Sequence, residues 1–209
     1  DRIGRNNAED TLMVALARLV FDLVLPSEEI GQTAMSGVAK DEWLVRQLFE
    51  KAVGTFLAIE LAPHGWKVDP GKKLKWQIEA ETSGIAAILP GMQTDIMLEE
   101  ATDRRRVIID TKFTAIFTQS AWKTAVLKSG YLYQLYAYLR SQVRNDDPLS
   151  ACTEGILLHP AVDGMVDECV SMQGHTLRFM TVDLFAATGD IVQQLRRVAE
   201  PVVIVAQTT

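Results

Sequence analysis

The sequence predicts an α/β fold: a central mixed β-sheet flanked by helices. Three observations carry that expectation. Short runs rich in apolar and β-branched residues, notably 106–113 and 155–160, read as strands buried on both faces. Between them, apolar stripes at helical spacing mark 41–61, 129–143 and 186–200. Finally, the order is helix, strands, helix, strands, helix, so helices and strands interleave along the chain.

A helix is expected over 7–25, where Leu12, Ala15, Leu16, Leu19, Val20, Leu23 and Val24 share one stripe, capped by Asn6 or Asn7 and followed by Pro26. Residues 26–40 are small and polar and read as a connection. We therefore divide the chain into a helical lead-in, 1–40, and one domain, 41–209. The domain's first helix spans 41–61, with Asp41 at its start and Pro63 and Gly65 after its end. Leu44, Leu48, Lys51, Thr55 and Ile59 mark one face, widened by Val45, Phe49, Val53, Phe56 and Leu57. Strand material is expected at 66–69 and 72–81 around a Pro70-Gly71 turn, because Trp76, Ile78 and Ala80 alternate with polar residues. A strand at 94–98 follows, then a charged return into 106–113. An irregular or partly helical link, 114–128, leads to the helix at 129–143. Strands at 155–160, 166–172 and 176–183 precede a closing helix at 186–200.

Composition narrows the function classes. At 48% hydrophobic and 23% charged, the 209 residues have the balance of a globular protein. The longest apolar stretch, 12–25, is broken by Arg18 and Asp22 and falls short of the roughly 18 residues of a membrane span. No signal peptide is recognisable, so a cytoplasmic location and no membrane partner are expected. The first residue is Asp, which reads as a chain that begins inside a longer protein. Cys152 and Cys169 are too few for a disulfide scaffold. With His159 and His175 they match no common zinc spacing, and they read as reduced thiols. The net charge of −6 is not the footprint of a chain that binds nucleic acid strongly by itself. Carboxylates at a metal site would add such charge, so a nuclease stays open, with much of its DNA affinity coming from a partner. Two basic clusters, Lys72, Lys73, Lys75 and Arg104, Arg105, Arg106, read more readily as solvated turns than as phosphate contacts.

The strand at 106–113 is where the chemistry concentrates. Alternation puts Asp110 and Lys112 on one face of an otherwise apolar run, where charges are costly unless paired or bound to a metal. Alone, the pair also reads as an ion pair closing on itself. Asp95 begins the neighbouring strand, so in the right register both carboxylates project near one point. Glu50 lies at the margin of its helix's apolar surface, either solvated or reaching inward. Tyr131, Gln134 and Tyr138 share a stripe at 3 and 7 spacing. Core packing is the default reading for the tyrosines, but a buried glutamine needs partners for its amide.

Glu50 on a helix, Asp95, Asp110-Thr111-Lys112 and Gln134-Leu135-Tyr136-Ala137-Tyr138 occur in an order that resembles the PD-(D/E)XK nuclease superfamily, above all its RecB-like branch. In detail the four elements are most similar to the McrC family of McrBC modification-dependent restriction systems, over about residues 41–160. The resemblance implies a restriction-endonuclease-like fold and metal-dependent cleavage of modified, methylcytosine-containing DNA; the alternatives are another RecB-like DNA nuclease, or a catalytically silent nuclease fold that serves as assembly partner or stimulator of an NTPase motor. It implies that Asp95 and Asp110 bind Mg²⁺, for which Mn²⁺ can substitute, with the Thr111 carbonyl and Glu50 as further ligands. Two carboxylates on neighbouring strands suit such a hard cation. Lys112 would orient the attacking water or stabilise charge. Gln134 and Tyr138 would orient the lysine or contact the DNA backbone. The chain contains no G-x-x-x-x-G-K-[ST] loop, so no nucleotide is expected to bind it. The implied partners are DNA and an McrB-like AAA+ GTPase motor subunit. Having only two cysteines excludes a four-cysteine iron–sulfur nuclease.

Overall fold

A computed structural model describes residues 33–100, 102, 105–119, 125–162 and 164–204. The helix expected at 7–25 lies outside them. Helix α1 (Thr33–Leu61) runs through residues 33–40, so those expected to form part of a connection are helical. Its buried stripe is Val45, Phe49, Ala52, Val53, Phe56 and Leu57. Leu44, Lys51 and Thr55, expected on the apolar face, are exposed.

Six strands form the main sheet, in the order β1-β4-β5-β8-β10-β9. They are β1 (Trp66–Pro70), β4 (Ile96–Glu100), β5 (Arg105–Thr111), β8 (Glu154–Pro160), β9 (Asp167–Met172) and β10 (His175–Val182). The sheet is mixed: β5 and β10 run parallel to β8, and the other pairs are antiparallel. A parallel pair needs a crossover, and α2 (Ser129–Ser141) supplies it between β5 and β8.

The alternation of the central strands divides the core between two faces. Val107, Ile109, Ile156, Leu158, Met180 and Val182 pack towards α1 and the closing helix α3 (Thr188–Arg196). Ile108, Leu157, Leu177 and Phe179 point the other way, towards Leu135, Tyr138 and Leu139 of α2. This is why 106–113 and 155–160 lack the one-sided pattern of a surface strand. Gly155 lets α2 lie close to the sheet. A Cβ there would stand 2.9 Å from Leu139 Cδ1 and 3.0 Å from Leu135 Cγ.

Three further expected elements differ. Only Lys73 and Leu74 of 72–81 form a strand, β2, which pairs with β3 (Met92–Gln93). Beyond them no strand offers a partner, so Trp76 and Ile78 are exposed despite their alternation. Within the expected link 114–128, β6 (Phe117–Gln119) and β7 (Ala125–Leu127) pair as an antiparallel ribbon. The closing helix is shorter than 186–200 and ends in a 3₁₀ turn, Arg197–Ala199.

Candidate functional site

The register of β4 against β5 builds the site. Ile96 pairs with Ile109, which puts Asp95 and Asp110 next along the same ladder. By alternation Asp95 shares a face with Met97, and Asp110 with Ile108, and both of these residues pack towards α2. The Pro70-Gly71 turn fixes the start of β4. Gly71, at φ +66°, donates its N–H to the Asp95 carbonyl at 2.7 Å. The Asp95 carboxylate is held by Thr111, whose N–H and Oγ1 both donate to Oδ2, at 2.7 and 2.8 Å.

Asp110 is almost fully buried, and its Oδ2 lies 2.7 Å from Lys112 Nζ. That contact is an ion pair without hydrogen-bond alignment, so the oxygen has no directed donor. Burial raises the Asp110 pKa to about 6. Lys112 pulls it down and Asp95 pushes it further up. Glu50 approaches from α1. Its pKa is raised, first by burial and then by the charges of Asp95 and Asp110. The charges of Asp95, Asp110 and Lys112 thus reach Glu50 from the C-terminal end of β5.

Helix α2 closes the far side. Gln134 Nε2 donates to Tyr138 Oη at 2.7 Å. The buried Tyr138 has a raised pKa, mainly from desolvation, and feels Asp110, Lys112 and Asp95. The expected stripe therefore serves both readings: Tyr138 is core, and its hydroxyl faces the charged cluster. Gln134→Ala should lower any cleavage about tenfold while leaving the melting temperature within a few degrees, and Tyr138→Phe should behave alike. Unchanged activity in both would reduce this helix to packing.

Sequence reasoning assigned no site role to a second ring of residues. Lys112 Nζ sits 5.2 Å from the Tyr131 ring centroid, and Lys128 Nζ sits 5.7 Å from it. Lys128 also donates to Thr114 Oγ1 at 2.6 Å. His159 Nδ1 bonds the Thr114 carbonyl at 2.8 Å, and burial lowers its pKa to about 4, so the ring is neutral and Nδ1–H is the donor. A histidine inside the apolar run 155–160 was the available signal. Helical spacing already put Tyr131 in line with Gln134 and Tyr138.

Among the described residues, no group of three or more His, Cys, Asp or Glu side chains is disposed to hold a metal ion. Cys152 is exposed and Cys169 partly exposed, and His175 Nδ1 bonds the Thr153 carbonyl. The donors at the main cluster are nonetheless all oxygen. They include a buried carboxylate oxygen with no aligned hydrogen bond, which is the chemistry a hard cation requires. No helix among the described residues is long and apolar enough to cross a membrane.

No curated protein sequence matches the chain. A sequence profile of the family described as McrBC 5-methylcytosine restriction system component matches residues 2–150, which include the Glu50, Asp95, Asp110, Lys112 and Gln134–Tyr138 elements. The match covers more than half of the chain, and the chain belongs to that family.

Proposed function

We propose that this chain is a Mg²⁺-dependent DNA endonuclease of the PD-(D/E)XK type, the cleavage component of a GTP-driven McrBC-type restriction complex. The observation that carries this reading is the β4–β5 register. It brings Asp95 and Asp110 to one end of the sheet with Lys112 beside them.

Asp95 and Asp110, with the Thr111 carbonyl, would hold the cation, with Glu50 as an outer or second-metal ligand. A bound Mg²⁺ would supply neutralisation of phosphate charge and a more acidic water. The side chains of the site do the rest. Thr111 keeps Asp95 aimed by two hydrogen bonds. Lys112, once released from Asp110, is free to orient the attacking water or meet the charge that develops on the phosphate. The Tyr131 ring limits where its ammonium can move. Gln134 orients Tyr138 at the edge of the cluster. GTP hydrolysis belongs to an McrB-like AAA+ partner, since this chain has no phosphate-cradling loop of that type.

One observation favours a second reading, a catalytically silent nuclease fold that stimulates its motor partner. The Lys112–Asp110 pair already closes the site, and no multi-carboxylate cage stands ready among the described residues. Titrating Mg²⁺ or Mn²⁺ calorimetrically into wild type and Asp110→Ala, with plasmid nicking assayed alongside, separates the two. The nuclease reading requires binding and nicking in wild type and neither in the variant. Binding without nicking would indicate that the motor partner is needed. If neither protein binds metal, the site is a structural ion pair and the silent reading holds.

A further inference from the structure

Lys72, Lys73 and Lys75, which read as a solvated turn in the sequence, meet Arg106 of the second basic cluster in space. A cavity of about 410 Å³ is lined by Lys72, Lys73, Lys75, Trp76, Arg106 and Arg144, among others. Five cationic side chains face it against two carboxylates, Glu99 and Asp147, in a chain whose net charge is −6. Arg106 holds both carboxylates at 2.6 Å, which leaves them little charge to offer an incoming cation. Lys72 is paired with Asp69. Among the described residues, no ion pair engages Lys73 or Lys75.

The rest of the lining suits a nucleotide. Trp76 is partly exposed, and its indole is set by a 2.7 Å hydrogen bond from Nε1 to the Pro90 carbonyl. Gln142, at the end of α2, donates to the Lys75 carbonyl at 2.9 Å and fixes the strap against the helix. Cations beside an aromatic face are the usual means of holding a nucleic-acid strand. The position is also telling. Arg106, Ile108 and Asp110 alternate onto one face of β5, so the cavity opens on the same face as the carboxylate cluster. Four residues of strand separate Arg106 from Asp110, about 13 Å.

We infer that this cavity binds the phosphodiester backbone of the DNA strand that continues from the carboxylate cluster, with phosphates at Lys73 and Lys75 and a base against Trp76. The inference rests on the nuclease reading and gives it a substrate track.

The test is binding of a fluorescein-labelled DNA duplex with a single-stranded tail in EDTA, followed by anisotropy across a salt series. It compares wild type, Lys73→Glu/Lys75→Glu and Trp76→Ala. The double variant should bind at least tenfold more weakly. Its log–log salt slope should be shallower by about two, as expected for two lost phosphate contacts. Trp76→Ala should lose about tenfold. Wild-type affinity and slope in the double variant would overturn the inference, as would a wild type that does not bind DNA. Lysine-dependent DNA binding by a wild type that takes up no Mg²⁺ or Mn²⁺ in the calorimetric titration would sink the nuclease reading and leave the cavity as a DNA site. Circular dichroism of the double variant guards against misfolding, and Lys73→Gln/Lys75→Gln repeats the test without charge reversal.

Discussion

Asp110→Asn should remove at least a thousandfold of Mg²⁺-dependent nicking, about 4 kcal/mol of transition-state stabilisation, while the metal-free protein loses no stability at neutral pH. The two halves of this expectation have one cause. The carboxylate is almost fully buried, and its pKa stands at about 6, raised by desolvation more than Lys112 lowers it. An acid whose folded pKa lies above its unfolded value binds its proton more tightly in the native state. Stability contributed by Asp110 is therefore present below about pH 4 and is lost as pH rises through about 6. The rise from the ordinary carboxylate range to about 6 corresponds to about 3 kcal/mol. Asparagine cannot ionise and lacks that loss, although it leaves Lys112 without its 2.7 Å partner. Urea midpoints of the two metal-free proteins at pH 4 and pH 7 measure the effect, because carboxylates remote from the cluster cancel in the difference and Glu50, relieved of the Asp110 charge, moves it the same way. The difference should move towards Asp110→Asn at the higher pH. Movement the other way would mean that the ion pair with Lys112 outweighs burial, and that Asp110 is a structural residue.

Arg178→Ala should cost about 3–5 kcal/mol of stability, as expected for removing one member of a buried, hydrogen-bonded ion pair. Arg178 is buried on β10. Its Nε and Nη2 donate to the two oxygens of Asp167 on β9, at 2.6 and 2.9 Å. Its Nη1 donates to the carbonyls of Arg197 and Glu200, at 2.7 and 3.3 Å. One guanidinium thus joins the edge strand, the inner strand and the turn that ends α3. Truncation strands those carbonyls and leaves Asp167 with Arg197 alone. Burial raises the Asp167 pKa, but Arg178 and Arg197 together bring it below the usual range, so this contribution exists above the unfolded carboxylate pKa and fades as pH falls through the folded one. The cost of Arg178→Ala should accordingly shrink in acid. Arg178→Lys should rescue only part of it, because an ammonium cannot make the paired contact. β8 separates β10 from β5, so nicking per folded molecule should not change. A loss of nicking without a loss of stability would contradict this account.

The sequence by itself determined what depends on short-range period. Apolar runs named β5 and β8, and helical spacing named α2 with Gln134 and Tyr138 on one stripe. The Pro70-Gly71 pair named the turn that now anchors Asp95. Alternation put Asp110 on a definite face before any partner was known. What only the tertiary structure decided is which distant groups meet. The 72–81 alternation lacked strand neighbours and did not become a strand beyond Leu74, since a ladder needs a second backbone to bond to. Tyr131 lies beneath Lys112 and Lys128 because a crossover returns α2 over β5. Lys73 and Lys75 join Arg106 and Arg144 although some 30 to 70 residues separate them in the chain. Local periodicity fixes the face a side chain takes. Charge complementarity and cavity shape arise only when register and crossover bring separate faces together.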